Sequence, residues 1–291
     1  MTKMKSQGLL TPWLFLAAPL LFLIVFTYLP VANMFFYSLT SWDGLSPTKP
    51  FVGAKNYVEL FTRPDLFGVM LVSLYYLGGS VVQLILALYL ATVLSFKIKL
   101  KNVFKGVIFF PYLINGVAIA FVFLYFFQPG GTLDSVLHLL HVPVHVQWLG
   151  DARVANYSLT GVSVWRYTGL DFVLFLGAIQ AIPGEQYEAA QIDGANRWKQ
   201  FLYVIAPGIK PILSLTALLS ISGALSVFET PYIMTGGANG TETFVIQTVN
   251  LAFEFGKVGL ASAAAVVLLA IVLVVAWLQR RLVPAEAGDL V

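Results

Sequence analysis

Apolar residues in this chain come in long unbroken runs, separated by short polar stretches. Runs long enough for a bilayer fall at about 12–38, 68–95, 106–127, 157–182, 208–228 and 258–279. A helix needs about 20 residues to cross about 30 Å of hydrocarbon, so each run predicts one transmembrane helix. The runs are continuous, which argues against the alternating strands of a membrane barrel. Pro19 and Pro30 fall inside the first run, and each removes a backbone donor, which predicts kinks there. The reading is an all-α polytopic membrane protein with six transmembrane helices, forming a single transmembrane domain over 1–291.

Composition supports this reading. Only 11% of the 291 residues are charged and 58% are hydrophobic. A soluble domain carries about 25% charged residues, so this chain could not cover a globule with polar surface. A nucleic-acid-binding module and a disordered chain are excluded on the same ground. There is no cysteine, which removes disulfides and thiol chemistry. Lys3 and Lys5 precede a first run too long for a signal peptide, which reads as an uncleaved span. With six spans, the two termini and the loops 96–105 and 183–207 share one face. That face holds eleven of the 17 Lys and Arg; five lie on the other, and Arg166 lies within a span. The excess predicts cytoplasmic termini.

The strongest local signal lies between the fourth and fifth runs. Pro183 stops the span, and Glu185 through Asp193 are mostly helix formers. Gly194 supplies a positive-φ turn, and Asn196 caps a second short helix, Asn196–Val204, which Pro207 closes. Ala189 and Ala190 offer a smooth face to another protein, and Glu188 offers a carboxylate to a basic partner residue. An amphipathic connector lying in the membrane interface is the plainer alternative.

Glu188-Ala189-Ala190, three residues, Gly194, nine residues and Val204-Ile205-Ala206-Pro207 resemble the EAA loop of ABC-importer permeases. The family pattern ends in I-x-L-P; Val204 and Ala206 stand here for Ile and Leu. Glu188-Ala-Ala-Gln-Ile-Asp-Gly-Ala resembles the carbohydrate branch in particular. So do Tyr37-Ser-Leu-Thr-Ser-Trp42, Phe51-Val-Gly-Ala-Lys-Asn-Tyr57, Thr235-Gly-Gly237 and Gly259-Leu-Ala-Ser-Ala263. The resemblance, nearest to the first permease of a heterodimeric maltose- or glycerol-phosphate-type pair, implies the type I importer fold. It implies that Glu188, Ala189, Ala190 and Gly194, flanked by Asp193 and Arg197, dock on a cytoplasmic ABC ATPase dimer. It further implies a second homologous permease, an extracytoplasmic solute-binding protein and a sugar substrate. The location implied is a bacterial or archaeal cytoplasmic membrane. The chain has no G-x-x-x-x-G-K-[ST] phosphate loop, so ATP and Mg would be bound by the partner ATPase, and no cofactor or catalytic role is expected of this chain.

Other polar positions are less specific. Trp165, Arg166, Leu170 and Asp171 lie in the fourth span, where charge is costly and faces protein or a water-filled cavity. Arg166 and Asp171 are about 140° apart on a helix and need not pair. The resemblance maps Arg166–Leu174 onto a sugar-lining stretch; an ion pair with another span or with the partner permease, or a gating role, is the competing reading. Ser222 and Ser226, with Ser220, suit either sugar hydroxyls or close helix packing, and Glu229 stands near the outer end of its span, where solvation alone would accommodate it. His138, His141 and His145 cluster in one outer loop, but Pro143 interrupts any helix there and no metal site is expected. The Thr235–Gly240 stretch reads as a flexible loop. The Gly236–Val249 stretch resembles amino-sugar or chito-oligosaccharide systems. The competing functions are an ion-driven secondary transporter, which favours midplane acids and inverted repeats, and an ABC importer of a non-sugar solute such as glycerol phosphate. Neither a nucleic-acid partner nor an integral membrane enzyme fits.

Overall fold

A computed structural model describes residues 4–96, 99–142 and 146–282. Helix α1 (Met4–Leu23) passes through a π turn (Ile24–Tyr28) into α2 (Leu29–Ser38). There follow α3 (Lys55–Thr62), α4 (Pro64–Phe67), a 3-10 turn (Gly68–Val72), α5 (Ser73–Ser95), α6 (Lys101–Leu113), α7 (Gly116–Phe127) and α8 (Thr132–Leu139). The chain continues with α9 (Ala155–Ala181), α10 (Gly184–Ile192) and α11 (Arg197–Gln200), which runs through a second π turn (Phe201–Ile205) into α12 (Ala206–Gly208). Last come α13 (Lys210–Leu225), α14 (Glu229–Thr235), α15 (Phe244–Phe253) and α16 (Val258–Leu282). Among the described residues the sole β pairing is an isolated bridge between Thr40 and Phe51.

Five segments are long and apolar enough to span a membrane: Phe15–Ser38, Pro64–Ser95, Ala155–Ala181, Lys210–Thr235 and Val258–Arg281. The run predicted as a single third span, 106–127, is instead α6 and α7, bent by 94°. Helix α6 carries Pro111 and ends at Ile114, whose backbone is extended. Asn115 then accepts the Val117 N–H on its side chain at 2.9 Å and caps α7. Proline, a capping Asn and Gly116 thus break a stretch whose apolarity alone reads as continuous.

The expected effects of proline are partly redistributed. Pro19 lies inside α1 without interrupting it. Pro30 follows the Ile24–Tyr28 π turn, and Pro207 follows the Phe201–Ile205 one. A π turn shifts the hydrogen-bond register, which accommodates the missing N–H. Pro207 therefore does not itself end its helix, which runs one residue further to Gly208.

The chain packs as two compact units: Met1–Phe67 with Thr248–Ala270, and Gly68–Gln247 with Ile271–Val291. In the first, three of the motifs that carried the resemblance come together. The Asn56 side-chain amide donates to the carbonyls of Ser38 and Thr40, both at 2.8 Å, and the Tyr57 hydroxyl donates to Ser38 Oγ at 2.7 Å. The Gly259 N–H donates to the Trp42 carbonyl at 2.9 Å, and a Cβ on Gly259 would strike the Thr40 carbonyl. Lys49 Nζ sits 4.6 Å from the Trp42 ring centroid. Asp43 accepts from the Ser46 hydroxyl and the N–H groups of Ser46 and Leu45, which hold its pKa down to about 2. Along the first span Phe15, Phe22 and Phe26 are exposed.

The second unit is built on α9. Apolar burial does little to drive association between helices in lipid, so close approach through small residues matters more. Gly79 on α5 leaves room for the Thr160 side chain, and Gly169 on α9 lies against the backbone of Ile108 and Phe109 on α6. One buried cluster gathers Phe172, Phe175, Leu176 and Ile179 of α9 with Ile205 and Ile209. Another gathers Leu159 and Val162 with Tyr76, Ile119 and Met234.

Candidate functional site

A cavity of about 520 Å³ opens among α5, α6, α9, α13 and α14. The α9 wall presents Ser163, Arg166, Tyr167, Leu170 and Asp171, spaced three and four apart on one helical face. Helix α5 contributes Tyr76, Ser80 and Gln83 at the same spacing, α6 contributes Tyr112, and the far wall includes Ser220, Ser226 and Glu229.

The charged groups of the cavity are held by different partners. Arg166 Nη1 donates to Glu229 Oε2 at 3.0 Å, and the guanidinium also lies 5.2 Å from the Tyr167 ring centroid. Arg166 is largely buried, with 14% of its side chain exposed against 41% for Glu229. Gly116 opens α7 beside them; a Cβ there would collide with the Glu229 carboxylate and the Arg166 guanidinium. The carboxylate thus sits near the positive end of α7. Asp171 Oδ2 accepts from Gln83 Nε2 at 2.6 Å, both side chains being buried. Two polar atoms on the walls, Tyr76 Oη and Arg166 Nε, are buried with no hydrogen-bond partner among the described residues. Such groups are costly unless something pairs with them.

Of the residues singled out in the sequence, Arg166, Leu170, Asp171, Ser226 and Glu229 line this cavity. Trp165 and Ser222 do not. Trp165 points about a third of a turn away from Arg166 and packs edge-on against Phe123, ring centroids 5.2 Å apart. The ion-pair alternative for Arg166 is realised with Glu229, which is engaged rather than merely solvated. Tyr76, Ser80, Gln83 and Tyr112 were not anticipated. The 76–80–83 spacing of polar groups inside an apolar run was the available signal.

Helix α9 leads through Ile182 and Pro183 directly into α10. Glu188 and Ala189 are exposed and Ala190 is half-buried. The helix ends at Ile192, Asp193 caps it, and Gly194 takes φ +71°. The Ala195 N–H donates back to the Ala190 carbonyl at 2.8 Å. Asn196 Oδ1 accepts from the Lys199 N–H at 2.9 Å, as a cap should. Arg197 lies over the Phe96 ring, 4.8 Å from its centroid. Tyr187 packs on the cluster around Phe175 and Ile205, and that burial pushes its hydroxyl pKa up. The helix–turn–helix expected here is present, extended at its second helix by the π turn.

Residues 83–287 match a family described as binding-protein-dependent transport system inner membrane component. The chain belongs to this family. It is 36% identical over 285 residues to the probable ABC transporter permease protein YurN of Bacillus subtilis, covering 96% of this chain and 97% of that one. It is 32% identical over 274 residues to the multiple sugar-binding transport system permease protein MsmF of Streptococcus mutans, covering 93% and 94%. In fold it is similar to a chain of the crystal structure of a bacterial ABC transporter involved in import of the acidic polysaccharide alginate. That match has TM-score 0.81 and 22% identity, and covers 95% and 96%.

One expectation about this permease's loops changes. The Thr235–Gly240 loop is tied down rather than flexible. Asn239 Nδ2 donates to the Leu149 carbonyl at 2.9 Å, Asn156 Nδ2 donates to the Gly240 carbonyl at 2.8 Å, and the Thr235 and Thr241 hydroxyls meet at 2.6 Å. Gly236, Gly237, Asn239 and Gly240 all take left-handed φ, which only such residues adopt readily. Among the histidines, His138 is on α8, His141 lies beyond that helix with φ 56°, and His145 falls outside the described residues. His138 and His141 therefore do not share a helical face.

Proposed function

We propose that this permease forms half of the path of an ATP-driven importer for a sugar or oligosaccharide, and that α10 couples it to a separate ATPase. One relationship carries the reading: α9, a helix of 27 residues, bears Arg166 and Asp171 on the cavity wall and leads into α10 after two residues. A displacement of α10 is therefore a displacement of the cavity wall. The Phe172–Ile179 face packs on Ile205 and Ile209, so the segment leaving the loop moves with it. An ATPase dimer that closes on ATP and grips Glu188, Ala189, Ala190 and Gly194, with Asp193 and Arg197 at the edge, would switch the cavity between membrane faces. This is rigid-body gating driven by differential stabilisation of two states.

A sugar suits the cavity. Serines, Gln83 and the unpartnered Tyr76 hydroxyl offer hydrogen bonds, Tyr112 and Tyr167 offer ring faces, and the strongest charges, Arg166 and Glu229, neutralise each other. The relative from Streptococcus mutans, named for sugar binding, supports the same class. The complex would include a second homologous permease, the exposed first span offering apolar surface to it or to lipid. A solute-binding protein would serve the face opposite α10, and the termini would be cytoplasmic, where Lys and Arg are concentrated. ATP and Mg would be held by the ATPase.

The test is affinity purification of the tagged chain from gently solubilised membranes, with mass spectrometry of what accompanies it. An ATPase and a second permease are expected with the wild type, and Glu188→Arg is expected to lose the ATPase alone. An ATPase retained equally by Glu188→Arg and Ala190→Trp would contradict the assignment of α10.

A further inference from the structure

A second cleft, of about 330 Å³, lies where residues 128–129, 147–150 and 234–239 meet the C-terminal end of α7. We propose that this cleft is a separate saccharide site, holding one uncharged sugar unit at the end of α9 opposite α10. The inference rests on the sugar reading above and extends it to a place where solute would sit apart from the cavity lined by Tyr76 and Arg166.

The lining is what such a ligand requires. Gln128, Gln147 and Asn239 bring three side-chain amides to one opening walled by Phe127 and Trp148. An amide both donates and accepts, matching hydroxyls that do the same. Aromatic rings pack against the C–H faces of a sugar, as small-molecule sites combine apolar walls with few polar groups. Among the described residues none that lines the cleft is charged, which disfavours an ionic solute, and the amides disfavour a purely apolar one. Its volume lies at the lower end of the roughly 300–1,000 Å³ of small-molecule sites, room for a single unit of a longer chain.

The walls are also held in place before any ligand arrives. Trp148 Nε1 donates to Asp134 Oδ1 at 2.9 Å, and the other oxygen of Asp134 accepts the Gly130 N–H at 2.8 Å, which fixes the indole against the 128–131 turn. Asn239 donates to the Leu149 carbonyl, joining the 147–150 turn to the 234–239 loop. The Gln128 and Gln147 side chains are exposed, so their amides are open to a ligand. An indole and a loop junction already fixed lower the cost of ordering on binding.

The experiment uses the whole transporter in nanodiscs with the solute-binding protein left out. Maltotriose, N,N′-diacetylchitobiose and galacturonate are titrated and followed by saturation-transfer NMR. A neutral saccharide is expected to bind, and Gln128→Ala/Gln147→Ala is expected to raise its apparent Kd about tenfold, the loss of two or three ordinary hydrogen bonds. Tyr76→Phe, in the other cavity, is expected to leave binding at the second cleft in place and to weaken only the binding that survives in the double variant. Unchanged binding in the double variant, loss of all binding in Tyr76→Phe, or equally tight binding of galacturonate would each overturn the proposal. ATP-driven sugar uptake by a wild type that binds no saccharide in this assay would overturn this site and leave the proposed function standing. Absence of any sugar uptake by the complete system would overturn both.

Discussion

Arg166 on α9 reaches Glu229 at the start of α14 across 3.0 Å, and the two meet beside α7 because Gly116 has no side chain there. Three separate helices are thus pinned at one point on the cavity wall by one ion pair and one missing Cβ. Removing a single partner leaves a charge in a poorly hydrated place, which costs more than the pair contributes. Glu229→Gln is expected to destabilise the solubilised protein by about 1–3 kcal/mol, the lower part of the usual range because the carboxylate is partly exposed. Replacing both partners, Arg166→Met with Glu229→Met, is expected to recover part of that loss. Thermal unfolding in detergent reads both, and equal stabilities for all variants would show that the pair holds nothing.

Glycines on α9 provide a contrast within one helix. A Cβ on Gly169 would press on the Ile108 carbonyl, whereas nothing lies within 4 Å of a Cβ on Gly177. Gly169→Ala is expected to cost about 1–3 kcal/mol through overpacking. Gly177→Ala is expected to be neutral or stabilising by up to about 1 kcal/mol, since Ala favours helix. The same unfolding assay separates them.

The clasp in the first unit makes a similar prediction. Asn56→Ala would strip the side-chain donor from two carbonyls, those of Ser38 and Thr40, at an expected cost of about 1–3 kcal/mol. Gly259→Ala would drive its methyl group into the Thr40 carbonyl and is expected to lower membrane yield further. Lys49→Ala, at an exposed cation–π contact, is expected to change stability by less than about 1 kcal/mol.

Much of this was legible in the chain because bilayer-length apolar runs have few interpretations. The turn at Gly194 and the cap at Asn196 were legible because each depends on a residue's own backbone or side chain. What the chain concealed was pairing between distant segments. Nothing near Glu229 announces Arg166, and nothing near Asp171 announces Gln83, 88 positions away. The break at Ile114–Gly116 was hidden for another reason: a hydropathy window averages across three residues, so Pro111, Asn115 and Gly116 disappear inside their apolar neighbours. The Thr235–Gly240 loop misled because glycine was taken for freedom, while the left-handed turns it permits are locked by Asn156 and Asn239.

Local turn chemistry is also expected to tune coupling. Gly194→Ala forces a Cβ into left-handed backbone, at about 1–2 kcal/mol, and Asn196→Ala removes a cap worth about 1 kcal/mol. Both are expected to lower ATPase retention several-fold in the purification assay while leaving membrane insertion intact. Normal retention in both would show that the loop's shape is irrelevant to docking.

The central claim, that motion of α10 driven by a separate ATPase moves solute through the α9-lined cavity, is tested most directly by reconstitution. The chain, its partner permease and the ATPase are placed in liposomes with the binding protein outside, and uptake of radiolabelled sugar is followed. Uptake is expected to require both ATP within and binding protein without, and to fall to background with Glu188→Arg although the sugar still binds. Uptake by the chain alone, driven by an ion gradient and indifferent to ATP, would contradict it.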